Sequence, residues 1–131
     1  MTSLKRARGD AAETLARHWL ESKGYTTIET NFTRRVGEID LIMQAPNTGP
    51  IVFVEVRFRK NQSHGGGVAS VNYRKQQKLR RTAQAWLQRH ATSRTEARID
   101  VIAVAPAPSG YQCSEHWHGH QMTWIVNAVE A

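Results

Sequence analysis

The chain has 131 residues and carries 18 Lys and Arg against 11 Asp and Glu, a net charge of +7 and a pI near 10.2. With 40% apolar and 22% charged residues it reads as one globular domain spanning residues 1–131. The absence of a membrane-length apolar run or signal-peptide segment, with Cys113 as the single cysteine, points to a cytoplasmic protein with no membrane span and no internal disulfide.

Residues 1–9 are basic and read as a flexible arm. A helix is predicted to start at Asp10, a good N-cap with Glu13 in the capping-box position, and to stop at Gly24. Ala12, Leu15, Ala16, Trp19 and Leu20 form its apolar stripe. Glu13 flanks that stripe and reads equally as a capping residue or as an acid overhanging the surface beneath the helix. Residues 25–32 alternate poorly and suit a short edge strand.

Residues 37–60 then read as a hairpin, with Ala45-Pro46-Asn47-Thr48-Gly49-Pro50 as its turn. The first strand should put Ile39, Leu41 and Met43 on one face and Glu38, Asp40 and Ile42 on the other. The second should separate Val52, Val54, Val56 and Phe58 from Ile51, Phe53, Glu55, Arg57 and Arg59. Asp40 and Glu55 sit inside apolar runs, and burying a lone carboxylate is costly unless it is paired or holds a metal. Pairing the strands can bring the two acids together as hard oxygen donors for Mg²⁺ or Mn²⁺. Arg57 projects from the same side as Glu55 and can hold a phosphate or steady developing negative charge. The ordinary alternative is an acid–Arg57 ion pair on a half-exposed strand.

Between Arg57 and Arg98 stand eleven Lys or Arg against the one acid Glu96. A block this lopsided favours a nucleic-acid surface over a merely solvated one. Arg59, Lys60, Arg74, Lys75, Lys78 and Arg81 are its candidate contacts. Residues 61–67 form a glycine-rich loop without the G-K-[ST] of a P-loop, so a plain connector is the simpler reading. A second helix is predicted over 72–89, with Leu79, Ala83, Trp86 and Leu87 facing inward and Arg74, Lys75, Lys78, Arg81 and Arg89 elsewhere. Residues 98–104 are near-continuously apolar and suit a central strand, and 122–128 a last strand or short helix. His116, His118 and His120 lack the spacing of a structural zinc site and read as a polar hairpin.

The order A-E-T-L-A, N-F-T-R-R-V-G-E-I-D-L-I, V-F-V-E-V-R-F-R, a basic helix and R-I-D-V-I-A-V resembles the YraN family of small bacterial proteins over nearly the whole chain. That family is similar to the PD-(D/E)xK nucleases and to Holliday junction resolvases. The resemblance implies an α/β, restriction-endonuclease-like core, a mixed sheet flanked by helices, and Mg²⁺- or Mn²⁺-dependent endonuclease activity on DNA, including branched DNA. It matches Asp40 and Glu55 to the metal-binding acids, Glu13 to the helix-borne acid, and Arg57 to the motif lysine. Arg57 is a departure, because an arginine only donates where a lysine amine can also give up a proton. Lys75 or Lys78 can replace that amine. Ala12 stands where the family usually has Gly. The competing readings are a catalytically silent nucleic-acid-binding module and an interaction subunit using the basic face. Salt dependence of DNA binding separates those two. A homodimer would suit a junction cutter.

Overall fold

The computed structural model describes residues 4–58, 72–90, 95–106 and 116–129, with side chains of the first helix from Gly9 onward. In chain order the elements are α1 (Leu4–Ser22), β1 (Thr26–Arg34), β2 (Gly37–Gln44), β3 (Ile51–Phe58), α2 (Tyr73–His90), β4 (Ala97–Pro106), β5 (His116–Trp117) and β6 (His120–Val129). The strands form a six-stranded sheet in the order β1-β2-β3-β4-β6-β5. Only β3 and β4 are parallel; every other pair of neighbours is antiparallel. Parallel neighbours need a long crossover, and α2 supplies it. The result is α/β, a mixed sheet flanked by two helices, consistent with a restriction-endonuclease-like core. Among the described residues no helix is long and apolar enough to cross a membrane.

Two expectations need correction at the N-terminus. Residues 4–9 are helical, not a loose arm, and Asp10 lies inside α1 instead of capping it. Lys5, Arg6, Ala7 and Arg8 are good helix formers, and Gly9 alone does not outweigh them. Thr14 Oγ1 donates to the Asp10 carbonyl at 3.1 Å, a bond of the helix interior. Residues 1–3 lie outside the described part. The predicted stop holds: Gly24 has φ 93°, and the Tyr25 N–H returns to the Leu20 carbonyl at 3.1 Å.

The sheet carries a core on each face. Ala12, Ala16, Trp19 and Leu20 of α1 pack on Leu41, Met43, Val52, Val54, Ile102 and Val104. Leu79, Ala83 and Trp86 of α2 pack with Phe32, Ile42, Ile51, Phe53 and Ile99. Strand alternation sorts Val52 and Val54 to one face, Ile51 and Phe53 to the other. Each buried side chain of this size contributes roughly 1.5–3 kcal/mol, enough to fix both helices on the sheet.

Alternation fails at one place. Ile39 joins Ile42 in the core under α2, whereas Leu41 and Met43 face α1. The side-chain pattern therefore flips between residues 39 and 41. On β1, Thr30 pairs with Leu41 and Phe32 with Ile39, and Asn31 between them has φ 52°. The expected facing of Ile39 with Leu41 is thus wrong: the period of two breaks on β2 opposite the left-handed Asn31 of β1.

The tail resolves as β6, and His118 (φ 47°) with Gly119 (φ 77°) turn the short β5–β6 hairpin. Sequence reading missed a buried charge, Asp100 on β4, which is 0% exposed. It accepts from Arg98 Nε (3.1 Å to Oδ1), Trp124 Nε1 (2.9 Å) and the Asn127 N–H (2.8 Å), while Arg98 also donates to the Tyr25 hydroxyl at 2.9 Å. The register shift between Ile99 and Val101 leaves backbone at this point to be satisfied by a side chain. Asp100→Ala strands a guanidinium and an indole N–H. It is expected to cost about 3 kcal/mol by urea denaturation, the scale for breaking a buried ion pair. A loss below about 1 kcal/mol would mean that water replaces the network without penalty.

Candidate functional site

The break in alternation on β2 at Asp40 sets the site. Strands β2 and β3 pair from Gln44–Ile51 to Leu41–Val54 and no further. The next residues on the two strands are Asp40 and Glu55, at the point where the strands part. Parting leaves β3 backbone without its ladder partner, and the Val56 N–H donates instead to Asp40 Oδ2 at 2.7 Å. Asp40 is 7% exposed and Glu55 3%, so both acids belong to the interior of the sheet's end.

Each acid is met by a different helix. Asp40 has Glu13 of α1 as its neighbour. Since α1 begins well before Asp10, Glu13 is an interior helix residue and not a capping glutamate. Glu55 accepts from Lys75 of α2, with Nζ 2.9 Å from Oε1, and from Arg57, with Nη1 3.4 Å from the same oxygen. The lysine contact is the shorter.

Local sequence explains why Lys75 arrives there. Asn72 caps α2: its Oδ1 accepts from the Lys75 N–H at 2.9 Å and its carbonyl from the Gln76 N–H at 2.9 Å. Lys75 lies four residues before Leu79 and eleven before Trp86, so it heads the sheet-facing stripe. Grouping it with the outward-facing cations was an error of placement. Gly37 fixes the helix against the strand. It has φ 154°, and a Cβ there would meet Thr82 Oγ1 at 3.1 Å and the Lys78 Cβ at 3.4 Å.

Electrostatics follow from burial. Removal from water and the proximity of Glu13 push the Asp40 carboxyl up to about 7, against the Val56 N–H bond that favours its ionised form. Burial and the Asp40 charge push Glu55 up to about 7, with Lys75 and Arg57 opposing. Glu13 is also raised, chiefly by burial. Burial therefore favours the protonated forms of these acids more than water does.

These donors suit a hard divalent cation by type: carboxylate oxygens, buried and mutually repelling when ionised. They are not yet gathered as a ligand set. Among the described residues no group of three or more His, Cys, Asp or Glu side chains stands ready to hold a metal. His116, His118 and His120 lie in the β5–β6 hairpin, and Cys113 lies outside the described part. Arg74, Lys78 and Arg81 are exposed and recur at helical spacing on one flank of α2. Arg59, Lys60 and the glycine-rich loop lie outside the described residues.

Comparison with known proteins matches the chain to relatives over most of their length. A profile described as "Uncharacterised protein family UPF0102" matches residues 12–104. A UPF0102 protein of Vibrio vulnificus (strain YJ016) is 42% identical over 127 residues, covering 95% of this chain and 93% of that protein. One from Halorhodospira halophila is 44% identical over 123 residues, with 94% and 87% covered. The UPF0102 protein YraN of Escherichia coli (strain SMS-3-5) is 43% identical over 122 residues, with 92% and 82% covered.

The raised carboxyls carry a pH signature. Asp40 and Glu55 bind protons more tightly in the fold, near 7, than in the unfolded chain, near 4. Their contribution to stability is therefore largest below about pH 4 and is lost as pH rises toward about 7. Metal-free melting temperatures are expected to fall between about pH 5 and pH 8, more steeply in wild type than in Asp40→Asn. Parallel profiles in the two proteins would show that Asp40 is ordinary in its titration.

Proposed function

The chain belongs to the uncharacterised UPF0102 family, of which YraN is a member, and from that premise and the site's geometry we propose a metal-dependent endonuclease acting on DNA. The observation that carries the reading is the approach of Lys75 to Glu55 at 2.9 Å, beside Asp40, where β2 and β3 part. Two buried acids and a lysine at one strand end supply the chemistry of phosphodiester hydrolysis, and they do so although Arg57 stands at the usual lysine position.

In this reading Asp40 and Glu55 hold Mg²⁺ or Mn²⁺, with Glu13 joining directly or through water. Bound there, the ion neutralises charge on the non-bridging phosphate oxygens and favours ionisation of a water. The protein's own groups do the rest. Lys75 orients the attacking water, and once its ammonium has released a proton to solvent the free amine takes the water's proton, a role closed to a guanidinium. Arg57 stays charged and steadies the phosphate as negative charge builds. Arg74, Lys78 and Arg81 hold the backbone of the duplex, and no residue in the set reads a base, so recognition follows structure and charge and not sequence. A binding module without catalysis is the competing reading. It draws support from Arg57, which stands where the motif has a lysine.

Cleavage of linear, flapped and four-way DNA with Mn²⁺ separates the two, using proteins purified identically. Asp40→Asn is expected to abolish activity. Lys75→Ala should lower it about a hundredfold, the scale of a lost proton-transfer group, and Arg57→Lys should change it little. If Lys75→Ala cuts like wild type while Arg57→Ala does not, the amine assignment is wrong. A wild type inert on all three substrates leaves the binding module.

A further inference from the structure

A cavity of about 260 Å³ opens between α1 and β1, reaching Leu41, the residue after Asp40 on β2. Glu13 and Leu41 form its inner wall, next to Asp40, and Thr30 and the left-handed Asn31 its β1 side. Arg17 lies one helical turn after Glu13, on the same flank of α1, and is the cation among the residues lining the cavity. Its guanidinium is half-buried. Its ionic contact, to Glu21 Oε2, is long at 3.9 Å, and its other contact is His18 Nε2 at 3.4 Å. Such a pair contributes little to stability, which leaves the guanidinium able to take a better anion at small cost.

We propose that this cavity is a second phosphate subsite, in which Arg17 binds the phosphodiester adjacent to the scissile one on the cleaved strand. The proposal rests on the nuclease reading for the position of the scissile phosphate. The geometry supplies the remainder. Lys75 and the Arg74–Lys78–Arg81 flank belong to the helix on one face of the sheet; Arg17 belongs to the helix on the other. A strand laid across the end of the sheet meets α2 cations, then the acids, then the cavity. A phosphate at the acids alone would leave the strand free to pivot. A guanidinium on the far side fixes two neighbouring phosphates, and so sets the strand's direction through the site. Thr30 and Asn31 offer neutral polar groups at the cavity's rim, which suit the sugar–phosphate between them. Glu13 and Arg17, spaced by four, then divide the work: one faces the metal ligands, the other the next phosphate.

A nucleoside 3′,5′-bisphosphate carries two neighbouring phosphates, and the 5′-monophosphate carries one. Calorimetric titration of both, with Ca²⁺ present, is run on wild type, Arg17→Ala and Arg17→Lys. Wild type is expected to prefer the bisphosphate by at least about tenfold, the scale of one charge-assisted contact. Arg17→Ala should lose that preference with monophosphate affinity unchanged, and Arg17→Lys should keep part of it, since lysine supplies the charge without the fork. In parallel, the salt slope of DNA binding should flatten by about one unit in Arg17→Ala. An equal preference in wild type and Arg17→Ala, or no preference in wild type, overturns the subsite. Unchanged melting temperatures exclude a folding explanation. A wild type that shows the preference yet cleaves no DNA sinks the nuclease reading and leaves the subsite standing. A wild type that cleaves DNA without the preference sinks the subsite alone.

Discussion

Two carboxylates buried at the parting of two strands are the constraint around which this molecule is built. Neither Asp40 nor Glu55 would be tolerated at its depth alone. Asp40 is accommodated because the strand it leaves exposes the Val56 N–H, and because burial raises its pKa toward the neutral form. Glu55 is accommodated because Lys75 reaches it from the opposite helix. The acids are kept within range of ionisation, so a small change in their surroundings changes their charge.

The scaffold serves that compromise. An antiparallel pair that continued past Leu41 would have zipped Asp40 against Glu55 within a ladder. Instead the pairing of β2 with β3 ends at Leu41–Val54, and the two acids lie just beyond it. Gly37 then lets α2 approach β2 closely, and the Asn72 cap fixes where α2 begins, so that its third residue is the lysine that meets Glu55. On the other face α1 is anchored by Trp19 and Leu20, which holds Glu13 and Arg17 one turn apart along the rim. The network on Asp100 lies among β4, β6 and Tyr25. It secures the strand that backs Val54 and Glu55, since β3 pairs in parallel with β4 along its whole length.

The order of elements was legible in the sequence because each carries a strong pattern. The hairpin's turn is dense in Pro, Asn and Gly, β4 is almost wholly apolar, and both helices show a stripe. The acids were legible as polar residues inside apolar runs. What was hidden depends on contacts distant in sequence. Nothing local signals that β2 flips at Asp40, because the flip is shared with Asn31 on another strand. The extra turn of α1 was hidden because Asp10 is a good cap by type and Gly9 a plausible break. Lys75 was readable in principle: spacing from Leu79 and Trp86 puts it on the inward stripe, but its charge argued for grouping it with Arg74 and Lys78. Asp100 escaped notice inside a strand whose neighbours are all apolar, the same signal that exposed Asp40.

In the proposed function the acids at the strand parting form one divalent-cation site. Titration of Mn²⁺ followed by electron paramagnetic resonance counts bound ion directly, without substrate or turnover. The claim predicts saturable binding in wild type at about pH 8, where the acids are ionised, and affinity weakened at least about tenfold in both Asp40→Asn and Glu55→Gln. Equal binding in wild type and the two variants would contradict it and place the ion elsewhere.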